Sequence, residues 1–469
     1  MVIELNSASA HYSLSNPLTS GIDGGGSRGP LLFTGTITPH DSTTGALVTR
    51  SDDLPEHAAT ALEAARFGSN LLDIPVDVTV AQTWVLYSRL ADMLKECGSD
   101  LSRLVRQRLY LRDIRDLTAV ERIVDAMLPS ERPATTITQM SPYGTDPRIR
   151  VVLEAVALQE SSEWDREETY IDDHQAGGGV TFPDAVRVGP FIFLGNTVGI
   201  NKVSGRLAEV ISEFDYPEHR WSARLENEHR ILAQSWATFA NIADILRTYD
   251  ADLPQIFKIN GWLDFMMRDY RPVAEVREVL FPDTGHLPAS ASVTIGGMAR
   301  HGALLGYEAI ALHPAHRDHS KPSRSSDPTG MSPIYTDVIQ ADNYVFTCGN
   351  VPIDNATKQV IVAPSQLDKS GCQLSFGRLT ESRVEVQAWD VYSRHAESLA
   401  KCDVSFEDVI HQTVFMRNPS EYSAVERVAS QFLGPVIPPT SLVPILDTSP
   451  FLDADIEIEL VAFSGAGPR

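Results

Sequence analysis

One short pattern recurs three times at nearly constant spacing. Gln82, Gln234 and Gln387 are each followed two residues later by Trp84, Trp236 and Trp389, at intervals of 152 and 153 residues. A period this long is one domain per repeat, so it constrains the fold before any local reading does. After each glutamine, apolar or small residues return at offsets 5, 9 and 12: Tyr87, Ala91 and Leu94; Phe239, Ala243 and Leu246; Tyr392, Ala396 and Leu399. Offset 8 adds Leu90 and Ile242, but His395 in the third copy. This is the stripe of an amphipathic helix. Each stripe ends in turn-prone residues: Gly98-Ser99-Asp100, Tyr249-Asp250-Ala251-Asp252 and Lys401-Cys402-Asp403.

Copies one and three also share Gln107 with Gln412, Tyr110 with Phe415, Arg112-Asp113 with Arg417-Asn418, and Ala119-Val120-Glu121-Arg122 with Ala424-Val425-Glu426-Arg427; the middle copy fits with a one-residue slip near Pro272-Val273. Each copy opens with a strand and a glycine (Leu32-Phe33-Thr34-Gly35, Ile192-Phe193-Leu194-Gly195, Val345-Phe346-Thr347-Cys348-Gly349). Each closes with a second strand (Val151 to Ala157, Leu305 to Ala311, Ile456 to Ala462). The predicted order is hairpin, helix, strand, helix, strand: an α/β (α+β) fold with a mixed sheet and two helices on one face. Such a sheet leaves its other face to be buried by partners, which three copies supply to one another. The domains are expected at 1–160, 161–315 and 316–469, with linkers in Gln159 to Gly179 and His313 to Pro333. Insertions at Asp52 to Asp77 and Leu367 to Ser382 either cover a cleft or are plain decoration, the latter being the commoner case for loops.

Composition narrows the setting. A 43% hydrophobic and 22% charged chain is globular. No run of about 18 apolar residues predicts a membrane span, and no secretory signal is visible, so a cytoplasmic location and no membrane partner are expected. Four cysteines, Cys97, Cys348, Cys372 and Cys402, show no Cys-x-x-Cys spacing, which argues against a zinc site or a disulfide scaffold. A net charge of -23 without a Lys/Arg cluster argues against nucleic acid as a partner.

The opening strand with glycine, the Gln-led helix, the Pro-small-x segment and the closing strand together resemble the RidA (YjgF) family, over nearly the whole chain and three times. The third copy is nearest: Ser332-Pro333-Ile334-Tyr335 resembles the family's Gly-Pro-Tyr-Ser, and Ile456-Glu457-Ile458-Glu459 its closing strand. The resemblance implies a trimer with ligand clefts between neighbours. Here that would be a self-contained pseudo-trimer that needs no second chain. It also implies hydrolysis of reactive enamines and imines to a ketone and ammonia, with no metal or organic cofactor.

The chain departs from the family in two places. The family's Pro-Ala-Arg arginine, which grips a substrate carboxylate with two parallel bonds, is absent from Pro133-Ala134-Thr135, Pro288-Ala289-Ser290 and Pro438-Pro439-Thr440. Hydroxyl lining fits a neutral or ring-shaped small molecule better. The family's cleft glutamate falls on Val152, Gly306 and Glu457, so the third copy alone keeps it. Glu457 is therefore the first catalytic candidate, with Tyr335 and Thr440 as neighbours. Cys348, Gly349, Arg417, Thr135 and Ser290 are candidate substrate-binding residues. Cys348 is a nucleophile only with a stabilised thiolate, and is more often an inert thiol. Arg112 and Arg417 read more readily as structural ion pairs. The recurring tryptophans and Glu154, Glu308 and Glu459 read as structural, His395 as a core histidine, and His286 as a weaker acid–base candidate. The expected function is a hydrolase of a small nitrogen-containing molecule. The rivals are a non-catalytic binding or regulatory protein, and ring-opening amide hydrolysis or chorismate-type chemistry on the same architecture. A ribonuclease reading is opposed by the charge.

Overall fold

A computed structural model describes residues 18–19, 22–23, 26–27, 29–58, 62, 76–128, 130–142, 146–171, 182–222, 226–281, 287–323, 336–354, 356–367, 382–448 and 451–465. Among these residues the chain forms three six-stranded mixed sheets. The first contains β1 (Leu31–Thr34), β2 (Leu104–Leu111), β3 (Ala134–Gln139) and β4 (Val151–Leu158). The second contains β5 (Phe191–Val198), β6 (Ile256–Leu263), β7 (Ala289–Thr294) and β8 (Leu305–Leu312). The third contains β9 (Tyr344–Thr347), β10 (Val409–Met416), β11 (Thr440–Pro444) and β12 (Ile456–Phe463).

The spatial order repeats: β1-β4-β2-β3, β5-β8-β6-β7 and β9-β12-β10-β11. In each sheet the last two strands are parallel and the other pairs in this order are antiparallel. A parallel pair needs a crossover. A helix supplies it each time: α2 (Leu117–Met127), α4 (Met266–Leu280) and α6 (Tyr422–Phe432). The longer helices, α1 (Val76–Glu96), α3 (Glu226–Arg247) and α5 (Arg383–Ala400), pack on those crossover helices and on the closing strands.

The recurring glutamine has a physical cause. Its buried amide clamps the chain just before the closing strand, using both ends of the group. Gln82 Oε1 accepts from Arg150 N (2.7 Å) while its Nε2 donates to the carbonyls of Val48 and Arg148. Gln234 accepts from Leu304 N (2.8 Å), and Gln387 accepts from Asp455 N (2.8 Å) and donates to Asp453 O (2.7 Å). An apolar residue there would leave buried backbone groups unpaired, at about 1–3 kcal/mol each.

The faces opposite the helices meet one another. Leu31, Phe33, Phe191, Phe193, Phe257, Ile310, Tyr344 and Phe346, drawn from all three sheets, form one apolar cluster. Next to it lies a buried ionic layer. Arg108 on β2 bonds Glu154 on its own sheet and Glu308 on β8 of the second sheet; Lys258 on β6 bonds Glu459 on β12 of the third sheet at 2.5 Å. Asn260 adds bonds to Glu459 at 3.0 and 3.1 Å. The Arg108 guanidinium also lies 5.6 Å above the Trp262 ring, which sits between Tyr110 and Phe415.

Edge contacts complete a cycle. Thr36 N–H of the first sheet donates to Thr440 O of the third (3.0 Å), and Gly349 N–H of the third to Ser290 O of the second (2.9 Å). Gly195 of the second sheet lies so close to the Thr135 backbone of the first that a Cβ would overlap it. Removing one partner of a buried ion pair leaves an uncompensated charge. Arg108→Met is therefore expected to lose about 3–5 kcal/mol of stability, measured by denaturant unfolding with the wild type alongside.

Candidate active site

The three edge-to-edge junctions present the same backbone frame with different side chains. By register, Val152 lies opposite Tyr110, Gly306 opposite Trp262 and Glu457 opposite Phe415, so these three residues occupy corresponding positions. At the first sheet's junction with the third, Val152 is apolar, and the Thr36 hydroxyl accepts from Leu442 N (2.8 Å) and donates to Leu442 O (3.2 Å). At the junction of the second sheet with the first, Gly306 has no side chain and the Asn196 amide stands where its Cβ would be. At the junction of the third sheet with the second the arrangement inverts. Gly349 contributes no side chain, and the Glu457 carboxylate occupies the space beside it, close to Ala291.

This comparison corrects one sequence expectation. Gly349 was aligned with Gly35 and Gly195, but the backbone bonds place it elsewhere. Cys348 N–H donates to Asp337 O as Gly195 N–H does to Asp184 O, and Gly349 N–H donates to Ser290 O as Thr36 N–H does to Thr440 O. Cys348 therefore holds the glycine position, and Gly349 holds that of Thr36 and Asn196. The cause is a substitution: two residues after Phe33, Phe193 and Phe346 stand Gly35, Gly195 and Cys348, and in the third copy the residue that follows is itself a glycine.

Glu457 is 3% exposed, and its Oε2 has no hydrogen-bond partner among the described residues. Burial pushes its carboxyl up to about 8; Glu459 adds to the shift, while Lys258 and the Ser292 N–H oppose it. Two residues along the same strand, burial also acts against Glu459, but Lys258 and then Arg108 outweigh it and hold that carboxyl at about 2. One strand thus carries a permanently ionised carboxylate and one that titrates near neutrality, the kind of separation that divides structural from acid–base roles.

The other expected site residues disperse. Thr440 is not beside Glu457: its backbone faces Gly35 at a different junction. Its hydroxyl accepts from Gln412 Nε2 (2.7 Å) and donates to Pro438 O (3.0 Å), which occupies its proton. Thr135 faces Gly195, and its hydroxyl is held likewise by Gln107 Nε2 (3.1 Å) and Pro133 O (2.8 Å). Ser290 does lie at the Glu457 junction, where its Oγ accepts from Arg277 Nη1 (3.1 Å).

Cys348 is buried, and burial drives its thiol far above the usual range, so it is a poor nucleophile. Arg417 donates to Leu452 O (2.6 Å) and lies 3.6 Å from Asp447 and 3.7 Å from Asp455, a structural role rather than a ligand contact. Tyr335 and His286 lie outside the described residues. His395 is a satisfied core histidine: Nε2 meets Ile458 O (2.9 Å), Nδ1 meets Asn350 Nδ2 (3.1 Å), and burial lowers its pKa to about 4. Among the described residues, no cluster of three or more His, Cys, Asp or Glu is disposed to hold a metal, and no helix is long and apolar enough to cross a membrane.

Residues 328–464 match the family model described as Endoribonuclease L-PSP. That segment contains Cys348, Gly349, Thr440 and Glu457. Among curated proteins the chain is similar to Protein mmf2, mitochondrial, of Schizosaccharomyces pombe, at 38% identity over 55 residues. This is 12% of the chain and 44% of that protein, so the match spans under half of the relative's length. It is also similar to RutC family protein slr0709 of Synechocystis, at 24% identity over 128 residues, covering 27% of the chain and 84% of that protein. Among solved structures, a chorismatase covers 77% of this chain and 93% of its own at 12% identity, with a TM-score of 0.42. Yeast Mmf1 covers 32% and 99% at 15% identity, with a TM-score of 0.25.

The Glu457 shift has a thermodynamic signature. Its folded-state pKa, about 8, lies above the ordinary value of 4.5. The folded chain therefore binds more protons than the unfolded chain between these limits, and its stability falls as pH rises through that window. Glu457→Gln removes this slope. The variant is expected to gain on the wild type by roughly 3–5 kcal/mol between pH 5 and pH 9, measured by denaturant unfolding at several pH values.

Proposed function

We propose that the chain is a RidA-like hydrolase of a small nitrogen-containing molecule, acting by enamine or imine deamination at the junction between the second and third sheets. The reading includes three tandem units, at 1–160, 161–315 and 316–469, closed into a self-contained pseudo-trimer. One observation carries the catalytic part: a buried carboxyl, Glu457, with an oxygen that makes no hydrogen bond among the described residues and a pKa near 8. Such a group is partly protonated at neutral pH and can both give and take a proton.

The step balances without a cofactor. The Glu457 carboxyl donates its proton to the imine nitrogen, and the carboxylate left behind takes one from the water that adds to the imine carbon. The carbinolamine so formed expels ammonia and leaves a carbonyl. The Ser292 N–H supports the carboxylate phase. For an enamine, protonation at carbon precedes the same sequence.

A second reading, a binding or regulatory protein, draws support from the other two junctions. There Val152 and Gly306 replace the carboxyl, and the hydroxyls of Thr135 and Thr440 are already engaged. Ring-opening amide hydrolysis and chorismate-type chemistry have no residue at these junctions that favours them over deamination. The net charge of -23 supports a small molecule over nucleic acid as the partner, and the free thiols of Cys97, Cys348 and Cys402 suit a reducing, cytoplasmic setting.

The test is ammonia release from freshly generated enamines and imines, with wild type and Glu457→Gln. Release that falls by about 100-fold or more in the variant is expected, together with a wild-type kcat/KM that declines above about pH 8 as Glu457 loses its proton. Release equal in both proteins takes the catalytic role away from Glu457, and none above the uncatalysed rate moves the weight to the binding protein.

A further inference from the structure

The slot that holds Glu457 has two walls from the third sheet, and one residue of the second sheet is bonded to both. Gly349, just past the end of β9, leaves the space that the Glu457 carboxylate occupies, and Glu457 itself stands on β12. Lys258 Nζ on β6 donates to Thr347 O, two residues before Gly349, at 3.1 Å. It also donates to Glu459 Oε2, two residues after Glu457, at 2.5 Å. The first bond fixes the end of β9. The second fixes β12, whose Glu459 carboxylate is gripped by Asn260 as well. Lys258 is 5% exposed, so both bonds act with little screening by water.

The same position in the other two sheets carries other chemistry. By register Arg106 lies opposite Val156, Lys258 opposite Ile310 and His411 opposite Val461. His411 reaches over the first sheet as Lys258 reaches over the third, and meets the backbone of Thr34. Thr34 and Thr347 correspond: the hydroxyl of each accepts from the closing strand of its own sheet, from Ala155 N (2.8 Å) and Leu460 N (2.9 Å). Burial first lowers the His411 pKa to about 3, so its imidazole is neutral at pH 7. Arg106 lies 3.8 Å from Glu308 Oε1 of the second sheet. At the junctions that His411 and Arg106 overhang, Val152 and Gly306 hold the Glu457 position. The ammonium and the titratable carboxyl thus occur together, at one junction of three.

An ammonium is a compact point charge with three donors, whereas a neutral imidazole brings no charge. Burial favours the neutral acid of Glu459, and Lys258 is the largest influence against it. Burial and the Glu459 charge hold the proton on Glu457, and Lys258 opposes them. Cys348 also faces the slot, but burial keeps its thiol uncharged at neutral pH. His395 of α5 faces Lys258 and is likewise kept neutral by burial, while Arg108 acts on Glu459. Glu457 therefore answers to one anion on its own strand and one cation from the neighbouring sheet.

We infer that Lys258 is a positioning residue for the Glu457 site: one ammonium from the second sheet fastens the strand end that carries Gly349 to the strand that carries Glu457, and is the counter-charge that the Glu457 carboxylate meets when it ionises. This rests on the reading of the Glu457 junction as the site. Control of that site then lies outside its own unit, because the second sheet decides how readily the third sheet's carboxylate forms. The consequence has a definite sign. Removing the ammonium leaves Glu459 as an unopposed anion beside Glu457, so the proton is kept to higher pH.

The test uses the full chain with isotope-labelled glutamate carboxyls and follows the Glu457 resonance against pH by NMR, assigned by its loss in Glu457→Gln. Lys258→Met, which keeps the stem and removes the charge, is expected to raise the Glu457 midpoint by about one pH unit. Lys258→Arg, which keeps the charge, is expected to hold the midpoint nearer to that of the wild type than to that of the methionine variant. Should Lys258→Met not fold because Glu459 is left uncompensated, the comparison is made in Glu459→Gln. There the methionine breaks no ion pair, and it is again expected to raise the midpoint. A merely structural lysine changes stability and not the midpoint. A midpoint unchanged or lowered in a folded methionine variant, or an arginine variant displaced as far as the methionine one, overturns the inference. The ammonia assay separates this from the deaminase reading. An alkaline limb of kcat/KM that moves with the midpoint supports both. A limb that stays put while the midpoint moves, or no ammonia release at all, counts against the deaminase reading alone and leaves the role of Lys258 standing.

Discussion

The three sheets are tied together by charges that none of them could bury alone. Glu308 and Glu459, on closing strands of the second and third sheets, take their counter-ions from Arg108 and Lys258 on the neighbouring sheets. A carboxylate removed from water without a partner is untenable, so each sheet depends on its neighbour to keep these residues ionised. The apolar cluster beside them is non-directional and tolerates sliding. The ion pairs are directional and set which strand faces which. The third contact differs: there the ring of His411 on the third sheet lies 5.6 Å from that of Phe33 on the first, with its pKa lowered to about 3 by burial first.

The same layer explains how two carboxyls on one strand behave so differently. Glu459 is close to Lys258 and Arg108, whereas Glu457 is beyond their bonding reach and meets Gly349, Ala291 and a single backbone N–H. Only two residues separate them. The permanently charged neighbour also helps to hold the proton on Glu457, so structural and chemical roles are coupled rather than merely adjacent.

Much of this was legible in the sequence because its cause is local or periodic. The glutamine-led helices stand out since a buried amide with two obligatory bonds tolerates no substitute, and the closing strands read as apolar runs because both faces are covered. Glu457 was singled out by position alone, and its burial beside Gly349 came only with the fold. What the sequence could not give was adjacency across units. Thr440 and Glu457 are near in sequence but belong to different junctions, because a sheet in a cycle has two edges and each meets another neighbour. The Gly349 misalignment arose because two glycines in one strand-end look alike until the backbone bonds are traced. Arg277 was invisible for a related reason. An arginine inside a helical segment reads as surface, and only the fold shows it buried against Ser290.

Gly349, Thr36 and Asn196 share one backbone position yet fill it with nothing, a hydroxyl and an amide. In a homo-oligomer built from identical chains, a mutation at such a position is imposed on every interface at once, and its damage is multiplied by symmetry. Here each interface is written separately in the gene. One can accept a protonatable carboxyl, Glu457, where the other two carry Val152 and Gly306. Three sheets carried by one chain are free of that constraint, so each junction can change its side chains without changing the other two.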